Sequence, residues 1–175
     1  TILSHLQKEE ALFRRGIKCL SLFFIDQVAK YRDLSGNGET VGYGKIFEEE
    51  YEGIVSDRLK HPTQDDILDP SYAQYLGRFE ARSVHSGYFS VDKKGNAVES
   101  KAEKKAERED GIGINDDDAK RAYDLILRDK ERLLSFDEPV RFIFSHSALR
   151  EGWDNPNIFQ ICTLKDSGSE TSKRQ

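Results

Sequence analysis

Apolar and polar positions change their spacing several times along this chain, and each change predicts an element. Leu3, Leu6 and Phe13 fall on one helical face over roughly the first fifteen residues, and Gly16 is a natural stop. Ile17 to Ile25 is then a nearly unbroken apolar run. A run of that length without alternation fits a strand buried on both faces of a parallel sheet. Asp26 is placed to cap a short helix carrying Val28, Ala29 and Tyr31. Ser35-Gly36-Asn37-Gly38 reads as a loop. Phe47, Tyr51, Ile54, Val55 and Leu59 share a second helical face, which Pro62 limits. Tyr72, Tyr75, Leu76 and Phe79 mark a shorter helix, and Ser83 to Val91 reads as a strand containing Gly87.

From Asp92 to Gly113 lysine, glutamate and arginine interleave with little apolar content, the pattern of a solvated loop or frayed helix. Asp116-Asp117-Asp118 then opens the most periodic helix, because carboxylates favour a helix N-terminus. Its stripe is Ala119, Ala122, Tyr123, Ile126, Leu127, Leu133 and Leu134. The turn Asp137-Glu138-Pro139 leads into a buried strand, Val140 to Phe144, and Ile158 to Leu164 is the last strand. Helices alternating with buried strands predict an α/β fold with a mainly parallel sheet. The expected organisation is one domain, 1–175, with a hydrophilic insert at 92–113. In such sheets ligands bind at the carboxyl ends of strands. That rule picks out Ile25-Asp26, Tyr88 to Asp92, and Ser145 to Asp154.

Composition narrows the function classes. Apolar residues make up 37% of the chain and charged residues 34%, as in a globular protein with much solvated surface. A net charge of −5 lacks the footprint of a dedicated nucleic-acid binder, although it leaves room for a local basic groove. Cys19 and Cys162 are far apart in apolar runs and read as reduced, buried thiols of a cytoplasmic protein. The four histidines and two cysteines lack ligand spacing, so no metal site is expected. No run reaches membrane-spanning length. A start at Thr1 without any methionine reads as a piece of a longer protein.

Ser145 to Pro156 carries the richest chemistry. Ser145, His146 and Ser147 are expected to emerge at a strand end, where hydroxyls and backbone N–H groups can hold phosphate oxygens. Arg150 adds a fork of donors suited to phosphate or carboxylate. Gly152 permits close backbone approach, and Asp154 can accept from sugar hydroxyls. The duller reading of Arg150 to Asp154 is a surface turn with an arginine–carboxylate pair. Trp153 and the Tyr88-Phe89 pair read as packing, and His85 as a strand residue near the sheet edge. A glycine-rich phosphate loop with lysine is absent, so the chain is not expected to cradle a triphosphate alone.

The segment Ser-Ala-Leu-Arg-Glu-Gly-Trp-Asp-Asn-Pro-Asn-Ile, residues 147–158, resembles motif V of superfamily-two helicases, especially in the Res subunits of type III restriction enzymes. Residues 17–26 resemble the family's motif IV strand, residues 84–95 a segment typical of Res subunits, and residues 129–136 the approach to motif V. The resemblance implies a C-terminally truncated RecA-like domain of the P-loop NTPase type, the second of a two-domain ATP-dependent motor. ATP and Mg2+ would be held mainly by the first RecA-like domain. By position, Gly152 and Asp154 would face the nucleotide, and Gln175 would begin motif VI, whose arginines lie beyond it. Ser145, Asp26 and Tyr88 would lie where the DNA backbone passes. Arg150 and Glu151 would form a structural or interdomain pair, with phosphate the other option for Arg150. Implied partners are the nuclease domain of the same chain, duplex DNA and a modification (methyltransferase) subunit. The alternatives are another superfamily-two helicase, of repair type, and a non-catalytic RecA-like interaction domain.

Overall fold

The first helix, α1 (Ile2–Phe13), ends as its glycine predicts: Gly16 takes φ +71°, a left-handed conformation that favours glycine. The computed structural model describes residues 1–33, 39–89, 121–122, 124–146 and 155–164. Strands β1 (Leu20–Ile25), β2 (His85–Tyr88), β3 (Phe142–Ser145) and β4 (Ile158–Leu164) form one sheet in the order β2-β3-β1-β4. Every pairing is parallel. Register places Phe23 of β1 beside Phe144 of β3 and Cys162 of β4.

Because β1 and β3 lie inside the sheet, their side chains are covered on both faces, which is why they read as unbroken apolar runs. On one face Phe23, Phe142 and Phe144 pack with Leu6 of α1, with Phe47, Tyr51 and Val55 of α2 (Gly42–Lys60), and with Tyr72, Tyr75 and Leu76 of α4 (Ser71–Leu76). Between α2 and α4 lies the one-turn helix α3 (Gln64–Leu68), closed by a Thr63–Asp66 capping box. The opposite face buries Leu20, Leu22 and Ile143 under Ala122, Leu125, Ile126 and Leu133.

That second cover is not the single helix expected after Asp118. Residues 121 and 122 are helical, Asp124–Arg128 is a π-helix, and a separate short helix, α5 (Lys130–Leu133), follows. Asp129 causes the restart: its side chain accepts the Arg132 N–H at 3.1 Å and so caps a new helix. Asp26 is likewise not a cap. It pairs with Lys30 at 2.6 Å, beside a 3₁₀ turn, Val28–Lys30. Leu3 points to solvent at 60% exposure, and Ser83 lies in a 3₁₀ turn before β2. Cys19 is buried and its thiol is pushed up to about 12 by burial, whereas Cys162 is only half-buried; both are free. Ser35 to Gly38, Asp92 to Gly113, Asp116 to Ala119 and Tyr123 lie outside the described residues.

Polar spacing hid a buried network at the amino edge of the sheet. Arg141, just before β3, donates from Nη1 to Glu9 Oε2 of α1 at 2.7 Å, and both side chains are fully buried. Arg141 also donates to the Tyr51 hydroxyl, and its guanidinium lies 5.2 Å from the centre of the Tyr75 ring. Glu9 accepts from Tyr72 at 3.1 Å and meets His5 Nε2 at 3.3 Å. His5 Nδ1 in turn shares a 2.7 Å hydrogen bond with Ser21 Oγ of β1. Lys18 donates to the Ser135 and Glu138 carbonyls, and burial, partly offset by Glu138, pulls its pKa down to about 7.

Burial drives the His5 pKa below 6.5, against the pull of Glu9. Burial alone would raise the Glu9 carboxyl, but Arg141, with His5, holds it below 4.5. For both groups the unfolded chain binds more protons than the folded one as pH falls. Stability is therefore expected to decline as pH drops through 6.5 and again below 4.5. Denaturant midpoints measured across that range test this, and a midpoint unchanged down to pH 4 would contradict it.

Candidate functional site at the carboxyl edge

Parallel pairing brings three separate strand ends together. Ser145, the last residue of β3, stands beside Phe24 of β1 on one side and Tyr88 of β2 on the other. Asp26 follows β1 directly. Asp26, Tyr88 and Ser145 thus meet at one edge, the edge where ligands bind in open α/β sheets.

Their side chains have different standing. Asp26 is half-buried and its carboxylate engages Lys30. Tyr88 is 5% exposed and packs in the core with Leu22, Ile126 and Ile143, while Phe89 joins the other apolar cluster. Ser145 is fully buried, yet among the described residues its Oγ has no hydrogen-bond partner, and His146 Nδ1 next to it has none either. Buried polar atoms are nearly always paired, so two orphans at one strand end are unusual. A hydroxyl and an imidazole there can each donate or accept toward a ligand oxygen.

The far end of the motif V-like segment sits elsewhere. Ile158 aligns with Leu20, at the amino end of β1. Asn155 Oδ1 accepts the Asn157 N–H at 3.0 Å, Asn157 Nδ2 donates to the Lys18 carbonyl at 2.9 Å, and Leu20 N donates to the Asn157 carbonyl at 2.9 Å. Asn155 and Pro156 therefore fix the start of β4 at the amino edge and do not belong to the same wall as Ser145. Parallel strands require this, since each connection must return from a carboxyl end to an amino end. Arg150, Glu151, Gly152, Asp154 and Gln175 lie outside the described residues.

A second cluster was not legible in the sequence. His85 begins β2, an outer strand, as its reading as an edge residue has it. Its Nδ1 shares a 2.7 Å hydrogen bond with the Tyr31 hydroxyl, and its Nε2 lies 3.1 Å from Glu48 Oε1 of α2. Thr40 donates to the same Glu48 oxygen at 2.8 Å. Burial pulls the His85 pKa below 6.5, with Glu48 opposing. The partners are 54 and 37 residues away in sequence, beyond the reach of any local pattern. A cavity of about 220 Å3 beside it is bordered by Arg32, Arg82 and Arg121. Gly87, two residues on, has no room for a side chain: a Cβ would clash with the Phe89 ring and come within 2.7 Å of Tyr31. The His85–Gly87–Phe89 spacing is thus a packing device joining β2 to α2 and to Tyr31. No three His, Cys, Asp or Glu side chains group as a metal site among the described residues. No helix among them is long and apolar enough to cross a membrane.

Fold and edge together define an α/β protein built on a four-stranded, all-parallel sheet with helices on its faces. The chain is 45% identical over 172 residues to the Res subunit of the type III restriction-modification enzyme EcoPI from Escherichia phage P1, and equally to that of EcoP15I from Escherichia coli. It is 34% identical over 189 residues to the StyLTI Res subunit of Salmonella typhimurium. The alignments cover 97% of this chain but 15% of the first two relatives, and 98% against 17% for the third. The chain is homologous to a short part of type III restriction-modification Res subunits. No protein-family model and no solved structure matches it.

Two buried serines give a contrast that can be measured. Ser21→Ala removes the bonded partner of His5 and is expected to cost about 1–3 kcal/mol. Ser145→Ala removes an orphaned hydroxyl and is expected to leave the stability of the chain unchanged or slightly raised. Equal losses by urea denaturation would mean that Ser145 is held by the fold rather than left for a ligand.

Proposed function

We propose that this chain is the second RecA-like domain of the motor in a type III restriction enzyme Res subunit. There it couples ATP hydrolysis to movement on duplex DNA by closing against a first RecA-like domain and reopening. The observation that carries this reading is the 45% identity to two Res subunits along nearly the whole chain. The all-parallel sheet supports it, because β3 runs directly into the motif V-like segment at the edge where such sheets bind ligands.

In this reading Gly152 and Asp154 face the nucleotide, with Asp154 near the ribose, and Gln175 opens the ATP-sensing helix. Asp26, Tyr88 and Ser145 form the side along which the DNA backbone passes, and Arg150 pairs with Glu151 or with a carboxylate of the other domain. On that side the Ser145 hydroxyl has no partner among the described residues but is fully buried, so it meets a backbone oxygen only where the edge opens, whereas Lys30 is committed to Asp26. ATP, bound with Mg2+ mainly on the first domain, supplies the phosphoryl group whose transfer drives the motion. The nuclease domain of the same polypeptide and a modification subunit complete a cytoplasmic assembly.

Asp154→Ala in the full-length polypeptide is expected to lower ATP turnover roughly tenfold or more, the effect of losing a charge-assisted hydrogen bond near the reacting nucleotide. The 175-residue chain alone is expected to show no turnover. Normal turnover by the Asp154 variant would overturn the assignment.

A further inference from the structure

Helix α2 carries a glycine, Gly53, that none of the described residues explains. Gly44 in the same helix has a reason, since a Cβ there would come within 2.8 Å of the Tyr31 carbonyl oxygen. A Cβ at Gly53 would meet no atom within 4 Å. Glycine within a helix is less favourable than alanine because it loses more backbone freedom on folding. An open-sided glycine in mid-helix therefore keeps space for something that approaches the backbone closely.

The space is a groove of about 650 Å3 between α1, α2 and α4. Its floor is apolar, formed by Leu6, Ile54, Tyr72 and Leu76. Its rim is acidic, with Glu10 from α1 and Glu49, Glu50 and Asp57 from α2. Arg58, the cation in the lining, is already taken up by Asp66 and Glu10. Apolar side chains continue at the mouth, where Leu3 is 60% exposed and Ile46, one turn before Glu50, is 57% exposed. An apolar floor, an acidic rim and a bare stretch of helix backbone together fit a helix of opposite charge.

We propose that this groove receives a cationic amphipathic helix from the remainder of the Res polypeptide, packed on the Gly53 backbone with its basic side chains over Glu49 and Glu50. This rests on the reading that the chain is part of a Res subunit. Two observations favour a tethered occupant over a separate protein. The matched relatives carry most of their length outside the aligned region. A single helix makes a small contact compared with the ~800 Å2 per partner of free-standing complexes, a shortfall that tethering offsets by raising local concentration.

Gln7→Cys in a Cys162→Ser background gives a direct probe, because exposed Gln7 lines the groove from α1 and leaves the Gly53 backbone bare. The rate of its modification by iodoacetamide, read by peptide mapping without ATP, is compared in the 175-residue chain and in the full-length polypeptide. We expect it to be about tenfold slower or more in the full-length protein, as for a site closed by a tethered segment. Glu49→Lys with Glu50→Lys should return it to the rate of the isolated chain. Equal rates in the two proteins would overturn the proposal, and so would protection that survives the charge reversal. Labelling is independent of turnover, so a failed groove leaves the motor assignment standing, and normal turnover by the Asp154 variant leaves the labelling result intact.

Discussion

The buried pair between Glu9 and Arg141 is the contact on which the rest of the structure depends. It joins α1 to the residue that leads into β3, and through Tyr51 and Tyr72 it also engages α2 and α4. Taking two charges out of water costs several kcal/mol per ion, and the attraction offsets this only when the remaining polar atoms find partners. Glu9 accepts from Arg141 and Tyr72 and lies against His5, so its oxygens are well served, while Arg141 Nε is left without a partner among the described residues. An apolar pair of similar volume could fill the same space. The network adds geometry, because its hydrogen bonds can be satisfied in one placement of α1 against the sheet.

That arrangement divides the labour between the two edges. The amino edge holds the ion network, the Lys18 contacts and the Asn155–Asn157 turn that starts β4. Among the described residues, buried polar atoms without a partner occur at both edges: Ser145 Oγ and His146 Nδ1 at the carboxyl edge, and Arg141 Nε and Asn155 Nδ2 at the amino edge. Local rules are commonly broken where function requires it. The Ser145–His146 pair of orphans falls on the edge where an α/β sheet presents its ligand site.

Much of the fold was legible because the inner strands β1 and β3 are buried on both faces. β4 has the bounds its apolar pattern predicts, and Phe47, Tyr51 and Val55 give α2 at i, i+4 spacing. The convergence of Asp26, Tyr88 and Ser145 followed from the strand-end rule alone. The burial of His5 and Glu9 was not legible, since Glu9 has its main partner 132 residues away and polar residues normally mark a solvent face. The helix after Asp118 misled because its stripe continues through Leu134 while Asp129 competes as a cap. Adjacency in sequence groups Asn155 and Pro156 with Ser145, whereas the return path of parallel strands puts them at the opposite edge.

A double-mutant cycle on the central pair tests the account most directly. Glu9→Leu and Arg141→Met are each expected to cost about 3–5 kcal/mol, because each strands one charge in the core. The double variant should lose much less than the sum, with a coupling of about 2 kcal/mol or more by urea denaturation. Losses that simply add would show that Glu9 and Arg141 act independently and that the fold does not hinge on their contact.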